Sequence, residues 1–322
     1  MTLQSNPWQA SGQWYRGALH CHTTESDGQP TPQQTVDWHA ANDYNFLAIT
    51  DHNRVTDPAS LDPQGLCLIP ATELTAAGGE LGASYHLLGI NVPPTTKLPP
   101  EHTLAPESVA FLRSVGATVF VAHPYWSGLT AADLLALYGD DPQTRAAGME
   151  VYNGAALLDR QKGDSLAAWD ETLARGAQWW GIATDDTHWG TLDRGLGWVV
   201  VRAPAATPAA IATALDQGQF YASSGPELRQ VQVLGEEDGA LRIRVETSPC
   251  AAIYLLAHGE SDCAYNADVI ARGEPGATIT EATLSVSLPS ESTEGGGRPW
   301  YVRVQATDWQ RRSAWSNPIF SA

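Results

Sequence analysis

Residues 14–53 read WYRGALHCHTTESDGQPTPQQTVDWHAANDYNFLAITDHN, and this stretch decides the fold. WYRGALHCH (14–22) reads as a strand that runs into two histidines. PTPQQTVDWHAAND (30–43) reads as a helix with proline near its start, and NFLAITDHN (45–53) as a second strand that again stops at ionisable groups. The pattern then repeats: a helix is expected around 106–115 ahead of the strand ATVFVAHP (117–124), and another over 165–175 ahead of QWWGIATDDTH (178–188). Strand–helix units whose polar groups gather at the strands' C-terminal ends indicate an α/β fold. They favour a barrel over a doubly wound sheet, because barrels build their sites on that face.

Beyond about residue 200 the texture changes. The helix PAATPAAIATALDQG (204–218) leads to QFYASSGP (219–226), and the period-two runs LRIRVE (241–246), AAIYLLA (251–257), ATLSVSL (282–288) and WYVRVQATD (300–308) predict an antiparallel β-domain. The boundary is placed so that residues 1–219 form the barrel and 220–322 the β-domain. Residues 289–298, which include ESTEGGG, read as a hairpin loop.

At 322 residues and 43% hydrophobic composition, the chain can bury a core in each of two units. Its formal charge of -18, from 36 acidic and 18 basic residues, sets its average field against long nucleic acid and anionic membrane. Phosphate chemistry on such a surface needs bound cations. No stretch approaches the roughly 18 apolar residues of a membrane span. MTLQSNPWQASGQWYRG (1–17) lacks the basic-then-apolar pattern of a signal peptide, so a cytoplasmic location is expected. Cys21, Cys67, Cys250 and Cys263 show no CxxC spacing and read as scattered thiols, with a Cys250–Cys263 disulfide as the alternative. Without a glycine-rich nucleotide fingerprint, no organic cofactor is expected.

Nine side chains of metal-binding type recur at the strand ends. Residues two apart on a strand share a face, so His20 and His22 can grip one ion while Cys21 points away. Alone, that pair is weak evidence for a metal and reads more readily as two surface or hydrogen-bonded histidines. His52 closes the second strand, with Asp51 beside it to orient its ring. Glu73 follows LCLIPAT (66–72), and its two carboxylate oxygens suit it to bridging two cations. His86 precedes LLGI and otherwise reads as a core histidine, whereas His123 ends a very apolar strand just before Pro124. Asp186 and His188 are spaced to enter one site, Asp185 has the opposite parity and a supporting place, and Asp27 completes the nine. Mixed imidazole and carboxylate donors suit Zn, Fe or Mn. Lys162 and Arg194 lie near these loops as candidate phosphate contacts, Arg194 in THWGTLDRG (187–195) being the stronger and a candidate catalytic group. Tyr125, Trp126 and Asn153 either shape a leaving-group pocket or pack the mouth of the barrel.

In order, RGALHCHTTESDG (16–28), NFLAITDHN, IPATEL (69–74), YHLLGI (85–90), VAHP (121–124) and ATDDTH (183–188) resemble the PHP (polymerase and histidinol phosphatase) superfamily. QFYASSGP and RPWYVRVQATDWQRRSAWSNPIF (298–320) resemble the tail of its CehA/McbA-like metallohydrolases. The resemblance implies a PHP-type distorted (β/α)7 barrel with a trinuclear centre of Mn, Fe or Zn. It assigns His20, His22, Glu73 and Asp186 to one ion; Glu73, His86 and His123 to a second; and Asp27, His52 and His188 to a third. Asp27 stands where many PHP proteins have histidine. Glu73 and Asp186 would serve catalysis through a metal-bridging hydroxide, and small phosphate mono- or diesters would be the substrates. The CehA/McbA-like group is associated with carbamate hydrolysis, which keeps carbamate, amide or carboxyl-ester cleavage as an alternative. A non-catalytic carbohydrate- or protein-binding module, with Trp300, Trp309 and Trp315 as stacking platforms, is a third reading. Oligomeric state is not readable from these residues.

Overall fold

The computed structural model describes residues 3–4, 6–189, 192–257, 269–274, 276–287 and 301–321. The expected loop at 289–298, Trp300 and Cys263 lie outside them. The apolar runs FLAI, TVFV and WGIAT form the strands Phe46–Ile49, Thr118–Val121 and Trp180–Thr184, buried at every position. Such runs belong to strands covered on both faces. Helices stand where the sequence places them, at Pro32–Ala41, Ala105–Ser114, Leu166–Ala174 and Pro208–Asp216. The first begins with a capping box, in which the Thr31 side chain accepts from the Gln34 amide and the Gln34 side chain accepts from the Thr31 amide.

Two parallel runs build the site-bearing half. Gln13–Ala18, Phe46–Ile49 and Cys67–Ala76 pair in parallel, as do Thr118–Val121, Gly148–Asn153 and Trp180–Thr184. Tyr85–Ile90 joins the runs and is antiparallel to both Cys67–Ala76 and Thr118–Val121. Only eight residues, 77–84, separate Cys67–Ala76 from Tyr85–Ile90. A parallel crossover needs about a dozen or more. The strand–helix alternation expected from the sequence is therefore broken here by a hairpin.

The architecture is mixed α/β, and the hydrogen-bonded path through the strands is open. It ends at Trp180–Thr184, with no ladder back to Gln13–Ala18, so the expected barrel is not closed as a sheet. An isolated parallel bridge between Cys21 and Thr187 links the two ends just beyond the strands, with the His22 amide donating to the Thr187 carbonyl at 2.9 Å and the Asp186 amide to the His20 carbonyl at 3.0 Å.

After residue 219 the described pairings are antiparallel. Leu228–Glu237, Ala240–Cys250 and Ile279–Ser287 form a three-stranded sheet. Ala252–Ala257, Tyr301–Thr307, Ser313–Ser316 and Ile319–Ser321 extend the large one. Side chains of both sheets, including Val231, Ile243, Val245, Leu255, Val302 and Val304, share a second core. Phe220–Ser223, at the expected boundary, pairs on one side with Trp198–Ala203 and on the other with Ser313–Ser316, so the large sheet runs across residue 220 without interruption. Buried Arg303 adds a clamp: it donates to both carboxylate oxygens of Asp170 on the Leu166–Ala174 helix at 2.7 Å, and its guanidinium lies 4.8 Å from the Trp169 ring centroid. Trp315 is buried, whereas Trp309 is half exposed and donates its indole N–H to the Ala277 carbonyl. Among the described residues no helix is long and apolar enough to cross a membrane.

Candidate metal centre

All nine sequence-selected side chains meet at the C-terminal ends of the parallel strands. That is where α/β sheets of either closed or open form place their ligands. Backbone ties set the neighbours: besides the Cys21–Thr187 bridge, His52 bridges Glu73, and the Ala122 amide donates to the His86 carbonyl at 2.9 Å. Two of the nine, His123 (φ 26°) and Asp186 (φ 55°), have left-handed backbones. Non-glycine residues held this way are strained, and such strain gathers at functional sites.

The deepest group is His20, His22, Glu73 and Asp186. His20 Nε2 lies 3.1 Å from His22 Nε2, 3.2 Å from Glu73 Oε2 and 3.1 Å from Asp186 Oδ1. His22 Nε2 lies 3.1 Å from Glu73 Oε2 and 3.2 Å from Asp186 Oδ1. Donors held about 2.1 Å from one ion fall about 3.0 Å apart in an octahedron and about 3.4 Å apart in a tetrahedron. Five separations among these atoms are thus of the size that a shared cation would give. Buried Glu73 Oε2 and His52 Nδ1 have no hydrogen-bond partner although they stand 3.1 Å apart, an arrangement that fits lone pairs aimed at a cation rather than at each other.

Glu73 turns its other oxygen to a second group. Oε1 is 2.8 Å from His86 Nδ1 and 3.2 Å from His123 Nε2. The third group lies at the mouth, where His22 Nδ1, His52 Nε2 and His188 Nε2 each stand 3.6 Å from a carboxylate oxygen of half-exposed Asp27. The groups share members. His22 and His52 each turn one nitrogen toward Asp27 and the other toward Glu73, so His52 belongs as much beside Glu73 and His86 as beside Asp27 and His188.

The electrostatics of the metal-free chain are those of a compact ion-pair cluster. Burial works against the charged form of His20, but Asp186, Glu73 and Glu150 outweigh it and hold its pKa well above the usual histidine range. Burial likewise opposes charge on His22, and the adjacent Asp186 and Glu73 carboxylates carry it up to about 9. His86 and His188 are raised against burial by Glu73 and by Asp27 respectively. Glu73 and Asp186 are driven well below the carboxylate range, mainly by His20 acting against burial, and Asp27 is driven down by contacts with His188 and His52. A divalent cation is the natural substitute for these protons.

Other sequence candidates sit differently. Asp51 orients no imidazole; its carboxylate accepts from Thr23, Ser26 and Thr56 and pins the loop that carries Asp27. Asp185 accepts from the amides of Gly195, Leu196 and Gly197, and burial lifts its pKa to about 6. Asn153 donates to Asp186 Oδ2 at 3.1 Å and caps the helix that follows it. Trp126 packs against His123, ring centroids 5.0 Å apart, and with Trp189 flanks a cleft of about 140 Å³ over Asp186 and His188. Lys162 lies over the Tyr125 ring. Arg194 lies over Trp38 in the neighbouring cleft with Gln29 and Gln34, apart from the one that opens on Asp186. Glu150 was not legible among the candidates, yet it is fully enclosed beneath the cluster, 2.6 Å from His20 Nδ1. A charged residue inside the apolar run GMEVYN was the signal, since burying it without partners is costly.

No protein-family model matches the chain, and a comparison with curated proteins gives no match. Among solved structures, it is similar to a two-domain protein containing a predicted PHP-like metal-dependent phosphoesterase from Bacteroides vulgatus ATCC 8482. The TM-score is 0.53 at 16% identity over 96% of each chain. A weaker likeness, TM-score 0.43 at 17% identity, relates 55% of this chain to 89% of an amidohydrolase from Chromobacterium violaceum. At such identity the first likeness is one of fold.

Proposed function

We propose that the chain is a metal-dependent hydrolase of the PHP superfamily and its CehA/McbA-like group, acting on small phosphate mono- or diesters. Residues 1–219 would carry the metal centre and residues 220–322 a C-terminal β-domain. One observation carries the reading: buried His20 Nε2 and His22 Nε2 stand 3.1 Å apart and each lies 3.1–3.2 Å from both Glu73 Oε2 and Asp186 Oδ1, while Glu73 Oε1 faces His86 and His123. Bound Mn, Fe or Zn would supply Lewis acidity and water activation. Glu73, fully buried, would link the deep and second positions through its two oxygens. Asp186 would hold the deep position with Oδ1 while Asn153 fixes Oδ2. The more open Asp27, His52 and His188 would face the incoming substrate, with Trp126 and Trp189 walling its leaving group. Arg194, over Trp38 in the next cleft, would stand apart from the reacting groups.

One observation favours carbamate, amide or carboxyl-ester cleavage as a second reading. Among the described residues, the cleft over Asp186 and His188 is lined by no Lys or Arg to enclose a phosphate dianion. The test is a substrate panel on chelator-stripped protein reloaded separately with Mn, Fe and Zn, with metal content measured on the same samples. Phosphate release that needs the metal and disappears with chelator is expected. Carbamate or amide turnover far above phosphoester turnover would select the second reading, and absence of metal uptake would end both.

A further inference from the structure

We infer that Glu150 is the positioning residue that sets the deep and second metal positions together while leaving the outer one alone, an inference that rests on the metal reading above. Four donors converge on its carboxylate. Oε1 stands 2.6 Å from His20 Nδ1 and accepts from Thr184 Oγ1 at 2.6 Å; Oε2 accepts from the His123 amide at 2.7 Å and from Asn153 Nδ2 at 2.8 Å. A carboxylate offers about four acceptor positions, so all of them are in use. The side chain is fully buried, so bulk solvent does not reach these contacts.

Three of the four contacts act on a proposed ligand, and the one from Thr184 anchors Oε1. The first makes His20 Nδ1 the protonated nitrogen, which leaves the lone pair on Nε2, the atom that faces His22, Glu73 and Asp186. The second fixes the His123 backbone, whose φ of 26° persists only where the surroundings over-determine it. The third reaches Asp186 indirectly, because Asn153 Nδ2 lies against both Glu150 Oε2 and Asp186 Oδ2. Ligands from three strand ends are therefore aligned by one carboxylate. The hydrogen bonds of Glu150 found among the described residues do not extend to Asp27, His52 or His188.

Glutamine cannot reproduce this. Whichever way its amide turns, an NH2 group meets two donors, so either His20 loses its tautomer and orientation or the His123 amide and Asn153 lose their acceptor. The experiment uses the full chain, stripped by chelator and titrated with zinc in competition with a chromophoric chelator, with anomalous diffraction giving occupancy position by position. Glu150→Gln is expected to weaken the deep and second positions about 10- to 100-fold, the usual effect of losing the partner of a ligating histidine, while the outer position keeps wild-type occupancy. Melting of the stripped protein is measured alongside. Should Glu150→Gln not fold, Thr184→Val, which frees Oε1 of one anchor, is expected to give a smaller loss at the deep position and none at the outer. Equal loss at all three positions, or no loss at any, overturns the inference. Wild-type protein that takes up no zinc overturns the metal reading itself, which no behaviour of the variants imitates.

Discussion

Glu73→Gln is the most direct perturbation of the proposed centre. The carboxylate is fully buried, with His20, His22 and His52 at 3.1–3.2 Å from Oε2 and His86 and His123 at 2.8 and 3.2 Å from Oε1. Glutamine keeps the shape but removes the charge, and its NH2 end cannot ligate, so one side of the centre loses its donor whichever way the amide turns. Loss of one electrostatic group aimed at a reacting centre costs about 2.7–4 kcal/mol. At about 1.36 kcal/mol per factor of ten, turnover should fall roughly 100- to 1,000-fold. The amide left among imidazoles costs about 1–3 kcal/mol of stability, within the roughly 5–15 kcal/mol of an ordinary domain, so the fold should survive. The assay is kcat on the preferred substrate at saturating metal, with metal content and melting recorded for both proteins. Normal turnover at normal metal content would refute the linking role of Glu73.

His52→Ala should empty the outer position first and the second position partly, because His52 stands between Asp27 and Glu73, and should spare the deep one; site-resolved occupancies in the reverse order would count against the grouping. Metal-free protein should lose stability as pH rises from about 6.5 to 9. His22, raised to about 9 in the fold, contributes fully below its unfolded value and loses that contribution as it deprotonates, on the order of 3 kcal/mol, with His20, His86 and His188 acting in the same direction. Urea denaturation of stripped protein at the two ends of that window reads this, and a flat profile contradicts it. Asp170→Ala should cost about 3 kcal/mol by leaving buried Arg303 without its counter-charge, with metal content unchanged; a loss below about 1 kcal/mol by denaturant titration would show the clamp to be dispensable.

Most of the candidate ligands were legible because they stand where an apolar strand gives way to ionisable groups, which need a partner or solvent; His86, at the start of Tyr85–Ile90, and Asp27, in the loop after His22, are not at strand ends. His39 lies on a helix rather than at a strand end, with Nδ1 against the Thr35 carbonyl, and burial holds it neutral, its pKa about 4. Glu150 escaped because it sits inside its strand rather than at the end, and Asp51 was misplaced because adjacency to His52 in sequence puts their side chains on opposite sides. Strand order was the larger gap. The Gly-rich link at 77–84 is too short for a parallel crossover, which announces the hairpin, but the open edge beside Trp180–Thr184 depends on long-range pairing that no local pattern encodes.

That hairpin also explains why one carboxylate can serve histidines from both parallel runs. Cys67–Ala76 is the strand at which parallel pairing gives way to antiparallel, and Glu73 lies at the changeover. On one side its backbone bridges His52 in parallel; on the other it faces Leu88 across the antiparallel ladder, with His86 two pairs further along opposite Thr75. A uniformly parallel sheet would bring its next ligand from the end of a strand after a helical crossover. Here the returning strand supplies His86 from its start and hands the sheet on to Thr118–Val121, whose end supplies His123. Glu73 therefore has histidines on both flanks at hydrogen-bond range, and each of its two oxygens has a separate set to serve.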